Sequence, residues 1–166
     1  MMLDRALLKR GVDAIVESGG FLEGGAPACA TMSGFGSEFG LDLSFHVSRT
    51  VDEYMVGESR LVLAMERRHA RDLMVSFDVG FERIFTVGGL IAQATSMPPQ
   101  GEGLDEWLER VGPLRTHAEF LGLHCEDDIY DPHGESKRTH RRAFDHLQFA
   151  MDRVADIVAA AGQQAR

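Results

Sequence analysis

Cys125-Glu-Asp-Asp-Ile-Tyr-Asp-Pro-His-Gly134, followed by one helical pattern running toward the C-terminus, is the stretch from which the fold is read. In that pattern Phe144, Leu147, Met151, Val154, Val158 and Ala161 step alternately by threes and fours, which sets them on one apolar stripe. A stripe of that length must cover a sheet face. Just before the helix, Glu126, Asp127 and Asp128 precede Ile129, and a fourth carboxylate, Asp131, stands directly before Pro132. Proline fixes its own φ near about −65° and pushes the preceding residue toward extended geometry, so Asp131 sits on a stiff turn. Two roles are open to it: a cap for the coming helix, with Pro132 at the first helical position, or a carboxyl group presented as a general acid.

Working outward, residues 60–65 (Arg-Leu-Val-Leu-Ala-Met) form a continuous apolar run, as in a strand buried on both faces of a parallel sheet. A helix is predicted over 67–76, a strand over 83–87 ended by Gly88-Gly89, and a helix over 104–111 around Trp107 and Leu108. Toward the N-terminus, 1–10 reads as the end of a helix stopped by Gly11, and 12–17 as a short strand ending in Ser18-Gly19-Gly20. A Gly-rich loop covers 21–27, a helix stopped by Gly40 covers 29–39, and a turn covers 41–50. Strands alternating with helices make an α/β fold with a mostly parallel sheet, whose ligands bind beyond the carboxyl ends of the strands. Ser18, the residues after Met65 and the acidic turn are all expected on that edge.

At 166 residues the chain is expected to form a single domain over 1–166, with 96–123 as a variable insertion opened by the Pro/Gly-rich loop 96–103. A formal charge of −9 argues against nucleic-acid binding, which needs a basic face to displace counterions. No segment reads as a signal peptide or a membrane span, so no membrane partner is expected. The two cysteines, Cys29 and Cys125, make no disulfide framework and have no zinc spacing, and a reduced, cytoplasmic protein is the expectation. His124, Cys125, Glu126, Asp127, Asp128 and His133 lack the spacing of a zinc or calcium loop and read as an exposed acidic turn; neither metal nor cofactor is expected.

The order of these motifs resembles the low-molecular-weight protein tyrosine phosphatases, in the bacterial branch that includes arsenate reductases of the same fold. The matching pieces are Glu17-Ser-Gly-Gly20, Gly40-Leu-Asp-Leu-Ser44 with His46-Val-Ser-Arg49, Leu61-Val-Leu-Ala-Met65 with His69, and Asp128-Ile-Tyr-Asp-Pro-His-Gly134. The resemblance implies a parallel sheet flanked by helices and hydrolysis of a phosphotyrosine protein or a small aryl phosphate. In that family a cysteine thiolate in a Cys-x5-Arg-Ser loop attacks phosphorus, and an Asp-Pro aspartate protonates the leaving phenol oxygen. Asp131 matches that acid, and the match favours the proton-donor role over the cap. The resemblance also puts Phe21 and Leu22 in the loop that walls the substrate ring. His133 takes the place where relatives often carry a stacking aromatic, with Ser18 and Asp128 as supports of the site. His46 and Arg49 match a structural motif.

The sequence departs from the family at its start. Six positions after Cys29 lies Phe35, and six after Cys125 lies Asp131, so neither cysteine opens a Cys-x5-Arg loop. Met1 falls inside the expected first helix, and the expectation is a sheet lacking its first, central strand together with the nucleophile loop. Two readings follow: the greater part of a phosphatase, inactive as it stands, or a catalytically dead interaction module that pairs its open sheet edge, with a homo-oligomer among the assemblies open to it. Arsenate reduction would need further resolving thiols.

Overall fold

The apolar stripe of the C-terminal third is a single helix, and the first two helices and the two that follow the sheet are laid against it. A computed structural model describes residues 1–77, 79–121 and 127–162. In chain order the elements are α1 (Met2–Leu8), α2 (Ala30–Glu38), α3 (Glu53–Glu58), β1 (Val62–Ala64), α4 (Arg67–Phe77), β2 (Ile84–Thr86), α5 (Val87–Ser96), α6 (Leu104–Val111) and α7 (Lys137–Gly162). Short 3-10 turns occupy Phe81–Arg83, Gly112–Leu114 and His117–Phe120. No described helix is long and apolar enough to cross a membrane.

β1 and β2 run parallel, with Val62 opposite Ile84, Leu63 opposite Phe85 and Ala64 opposite Thr86, and α4 makes the crossover between them. Because side chains alternate along a strand, the pair divides the core in two. Leu61, Leu63 and Phe85 pack with α5, α6 and α7 around Leu90, Trp107, Val111 and Val154. Val62, Ala64 and Ile84 pack on the other face with Val56, Ala70, Leu73 and Phe120. Leu147 and Val158 of the α7 stripe are half-buried against the first cluster, and Phe144, Met151, Val154 and Ala161 are buried. Arg115 closes the end of β2. Its guanidinium donates to the carbonyls of Phe81 and Ile84 (2.9 and 2.8 Å) and lies 3.7 Å from the Phe85 ring centroid. Burial pulls its pKa below the usual arginine range, against the opposing effect of Glu119.

Several sequence expectations are corrected here. Residues 12–17 are not a strand. Val12 and Val16 pack against Ala6, Leu7 and Ala155, but Ile15 is 94% exposed, and among the described residues nothing pairs with their backbone as a ladder. A strand is defined by its neighbour, and among the described residues this segment has none; the nearest sheet-like contacts are single bridges, Gly20 with Thr50 and Pro27 with Val47. The run 60–65 forms strand only over Val62–Ala64 and is half-covered at Leu61, Val62 and Leu63, and its outer edge has no strand partner among the described residues. The strand that is buried throughout is β2.

Val87-Gly88-Gly89 begins α5 instead of ending a strand. The Thr86 hydroxyl accepts from the Gly89 N–H (3.0 Å) as an N-cap, which fixes where the helix starts. Glycine is required at 88, since a Cβ there would lie 2.6 Å from the Asp127 Cα. The helix α3, hidden in a segment with no long apolar period, is set by the Asp52 carboxylate accepting from the Met55 N–H (2.8 Å).

Candidate active site

The acidic turn is fastened to the carboxyl end of β1 by its backbone. The Ile129 N–H donates to the Met65 carbonyl (2.7 Å), and the Asp128 carboxylate accepts from the Arg67 N–H (2.9 Å) in the first turn of α4. The Asp127 carboxylate pairs with the Arg67 guanidinium. These three contacts carry the chain into Tyr130-Asp131-Pro132 at the edge where β1 ends and α4 begins. They explain the run of carboxylates: two of them dock the turn, leaving Asp131 exposed.

Asp131 does not cap α7. The cap is Ser136, whose hydroxyl accepts from the Thr139 N–H (3.2 Å). The Asp131 Oδ1 instead accepts from the His133 N–H (3.0 Å), a local turn bond that fixes the carboxylate on its own loop. His133 is exposed beside it. Partial removal from water pushes the neighbouring Tyr130 phenol up from its usual pKa, and Glu135 (3.4 Å) and Asp131 add to the shift. Across the edge, Arg68 forms a fork with Glu66 (2.9 Å for each bond). That hydrogen bonding holds the guanidinium above its usual pKa, and Asp131 contributes to the same field.

Phe21 reaches this edge by stacking on His69 of α4, with ring centroids 6.1 Å apart and planes at 28°. The loop carrying it is braced by the segment after the turn at 41–46. The N–H groups of Gly24 and Ala26 donate to the hydroxyls of Thr50 (2.9 Å) and Ser48 (3.0 Å), and the Gly25 N–H donates to the Ser48 carbonyl (2.8 Å). A Cβ at Gly24 would lie 2.9 Å from that same carbonyl oxygen, so the loop needs glycine to lie this close. Arg49 pairs with Glu17 (2.6 Å) and holds the two segments together at their ends. The His46–Arg49 motif thus acts as scaffold for the Phe21 loop.

Asp131, Asp128, His133 and Phe21 are therefore gathered at one end of the sheet. Leu22, next to Phe21 in the braced loop, is 85% exposed. Ser18 lies exposed at the end of 12–17 and makes no side-chain hydrogen bond among the described residues. Sequence reasoning passed over Glu66 and Arg68. The available signal was their position, two and four residues past Ala64 at the carboxyl end of a parallel strand. Cys29 is exposed at the N-cap of α2. Cys125, with His124 and Glu126 of the metal alternative, lies outside the described residues. Among the described residues no group of three His, Cys, Asp or Glu side chains is arranged to hold a metal.

A short parallel sheet with helices on both faces, and a carboxylate turn docked at its carboxyl edge, places the chain in the α/β class. Its fold is that of the low-molecular-weight protein tyrosine phosphatases. The low-molecular-weight protein tyrosine phosphatase from T. tengcongensis superposes with a TM-score of 0.67 at 22% identity, over 93% of this chain and 85% of that one. The YwlE arginine phosphatase from Geobacillus stearothermophilus gives 0.63 at 20% identity, over 93% and 81%. The tyrosine phosphatase AmsI of Erwinia amylovora gives 0.61 at 18% identity, over 98% and 84%. At these identities the likeness is one of fold. No family model and no curated protein matches the chain.

Proposed function

We propose that the chain is a phosphatase-type domain in which Asp131 is the general acid, and that these 166 residues do not by themselves turn over a phosphate ester. The observation that carries the reading is the docking of the Asp-Pro turn on the carboxyl end of β1 through Ile129 and Asp128, which leaves the Asp131 carboxyl exposed at the edge. In the chemistry that the resemblance implies, a thiolate attacks phosphorus as the phosphorus–oxygen bond to the leaving group breaks. Asp131 gives its proton to the departing oxygen, and water then cleaves the phosphocysteine. An aryl leaving group suits the Phe21–His69 stack beside the turn. The nucleophile is what the sequence does not supply, since neither Cys29 nor Cys125 is followed by arginine six positions on.

The first test is incubation of the 166-residue protein with 4-nitrophenyl phosphate. No release of nitrophenol above background is expected, and turnover abolished by Cys29→Ser would overturn the proposed lack of a nucleophile. In a chain extended by a strand bearing a Cys-x5-Arg-Ser loop, Asp131→Ala should lower kcat by about 10²–10⁴-fold, most for poor leaving groups. An unchanged rate there removes Asp131 from the chemistry. A second reading, a catalytically inert interaction module, is favoured by the outer edge of β1, which has no strand partner among the described residues, since an unpaired strand edge is a template for another chain.

A further inference from the structure

Lysine and arginine side chains in this molecule are nearly all engaged, and the exceptions cluster. Among the described residues only Lys9, Lys137, Arg138 and Arg142 make neither a side-chain hydrogen bond nor an ion pair. The last three are exposed at the start of α7. Lys137 and Arg138 stand in its first turn, where the helix dipole already places positive charge, and no carboxylate in that turn offsets them. In a chain of formal charge −9, this is a local reversal of sign that the fold does not neutralise.

Beside these cations lies a groove. Ala30, Thr31, Gly34, Phe35 and Glu38, on one face of α2 by their spacing, line a cavity of about 270 Å³ whose other wall is Lys137. The Lys137 ammonium lies 5.8 Å from the centroid of the buried Phe35 ring. Arg141 ties the two helices together: it pairs with Glu38 (2.5 Å) and Asp145 (3.1 Å), so the carboxylate in the groove is neutralised. Gly34 is exposed, and a Cβ added there would meet nothing within 4 Å. The volume falls below the about 300–1,000 Å³ of a site that encloses a small molecule, and suits one or two side chains of a larger partner. The groove adjoins the candidate active site through the chain. The loop that bears Phe21 runs into α2, and the turn that bears Asp131 runs into α7, which puts Lys137 at most about 22 Å from Asp131.

From the uncompensated cations, the cavity beside them and its size, we infer that the groove between α2 and the start of α7 is a docking site for an acidic segment of another polypeptide. An apolar side chain of that segment fills the space over Phe35, and its carboxylates meet Lys137 at the rim and Arg138 and Arg142 beyond it. At 3.6 residues per turn the two arginines lie about 60° and 100° round α7 from Arg141, on the exposed side, so they receive a segment that crosses the helix on leaving the groove. Their guanidinium forks suit the paired oxygens of a carboxylate. Overall charge selects the occupant. Within a Debye length of about 8–10 Å the local cations govern a short acidic segment, whereas a nucleic acid or an anionic bilayer extends past the patch and meets the surplus of carboxylates elsewhere. The docking does not depend on the proton-donor role of Asp131.

The test titrates the full 166-residue protein with a fluorescein-labelled peptide of alternating Glu and Leu, read by anisotropy. Saturable binding is expected, weakening as salt is raised and absent for the same peptide with Gln in place of Glu. Lys137→Glu, Arg138→Glu and Arg142→Glu together should weaken it about ten-fold or more. These exposed substitutions also suit the helix dipole, so thermal stability should not fall. Gly34→Leu, which fills the cavity and leaves the charge unchanged, should weaken binding about ten-fold as well. In the unaltered protein, amide NMR shifts on peptide addition should gather at residues 30–38 and 137–142. No saturable binding, equal affinity after charge reversal, or shifts confined to other regions overturns the site, and indifference to Gly34→Leu overturns the groove. Displacement of the peptide by polyuridylate or phosphatidylserine vesicles at equal negative charge would assign the patch to another polyanion and overturn the occupant. Self-association in sedimentation that the charge reversal abolishes would put a second copy in its place.

Discussion

Residues 12–17 and the strand β2 both read as strands in the sequence and come to opposite ends. Val-Asp-Ala-Ile-Val-Glu mixes three β-branched residues with Asp, Ala and Glu, which strands disfavour, whereas Ile-Phe-Thr is strand-favouring throughout; Ile15 is 94% exposed while Ile84 and Phe85 are 0% exposed. β2 has a parallel partner, helices on both faces and a buried guanidinium over its aromatic ring; 12–17 has a floor on one face and no neighbour. The difference teaches that a few β-branched residues do not make a strand, and that composition and a paired neighbour together decide what becomes sheet.

The contrast can be broken most directly by truncating one side chain on each side of it. Phe85→Ala should cost about 3–5 kcal/mol in urea unfolding, through lost burial and the cavity beneath Arg115. Ile15→Ala should stay within about 0.5 kcal/mol, as expected of an exposed position. Similar costs for the two would mean that 12–17 is covered in solution, and the comparison would fail. A smaller effect tests how the candidate site is anchored. Asp128→Ala removes the carboxylate that accepts from Arg67 and should cost about 1 kcal/mol, as for a lost helix cap. Faster exchange of the Ile129 amide should accompany it, since the Ile129–Met65 bond loses its companion; unchanged exchange would show that the backbone bond alone docks the turn.

The smallest effect concerns pH. Hydrogen bonding from Arg110 holds the Glu102 carboxyl below its ordinary value of 4.5. A folded-state pKa lowered in this way stabilises the protein above the unfolded pKa, and the contribution is lost as pH falls through the folded value. Glu102→Gln should therefore flatten the decline of thermal stability below about pH 4.5 and leave its shape at higher pH alone. A decline of the same slope in the variant would assign the acid sensitivity to other carboxylates.

Much of the fold was legible because its longest element is also its most regular. The α7 stripe from Phe144 to Ala161 is the face that packs, and α6 spans the residues read for it. Gly11 and Gly40 end their segments with φ of 72° and 69°, the left-handed geometry that favours glycine. What escaped was set by single contacts between distant residues. Thr86 starts a helix where a glycine pair suggested a stop, and Gly88 is small because Asp127, thirty-nine positions away in sequence, lies against it. At the candidate site Asp131 was legible from Asp-Pro, but Ser136 as the true helix cap, Leu22 turned to solvent, and the Glu66–Arg68 fork across the edge were not.

The sequence alone determined the periodicities: which residues form helices, which face of the last helix is apolar, and that a carboxylate stands on a stiff turn before it. These follow from local sterics and from hydrophobic spacing, which the chain carries wherever it goes. Only the tertiary structure decided which strand-like segments became strands and which carboxylates of the turn dock it, because both depend on groups far apart in sequence meeting at the same backbone N–H and C=O groups.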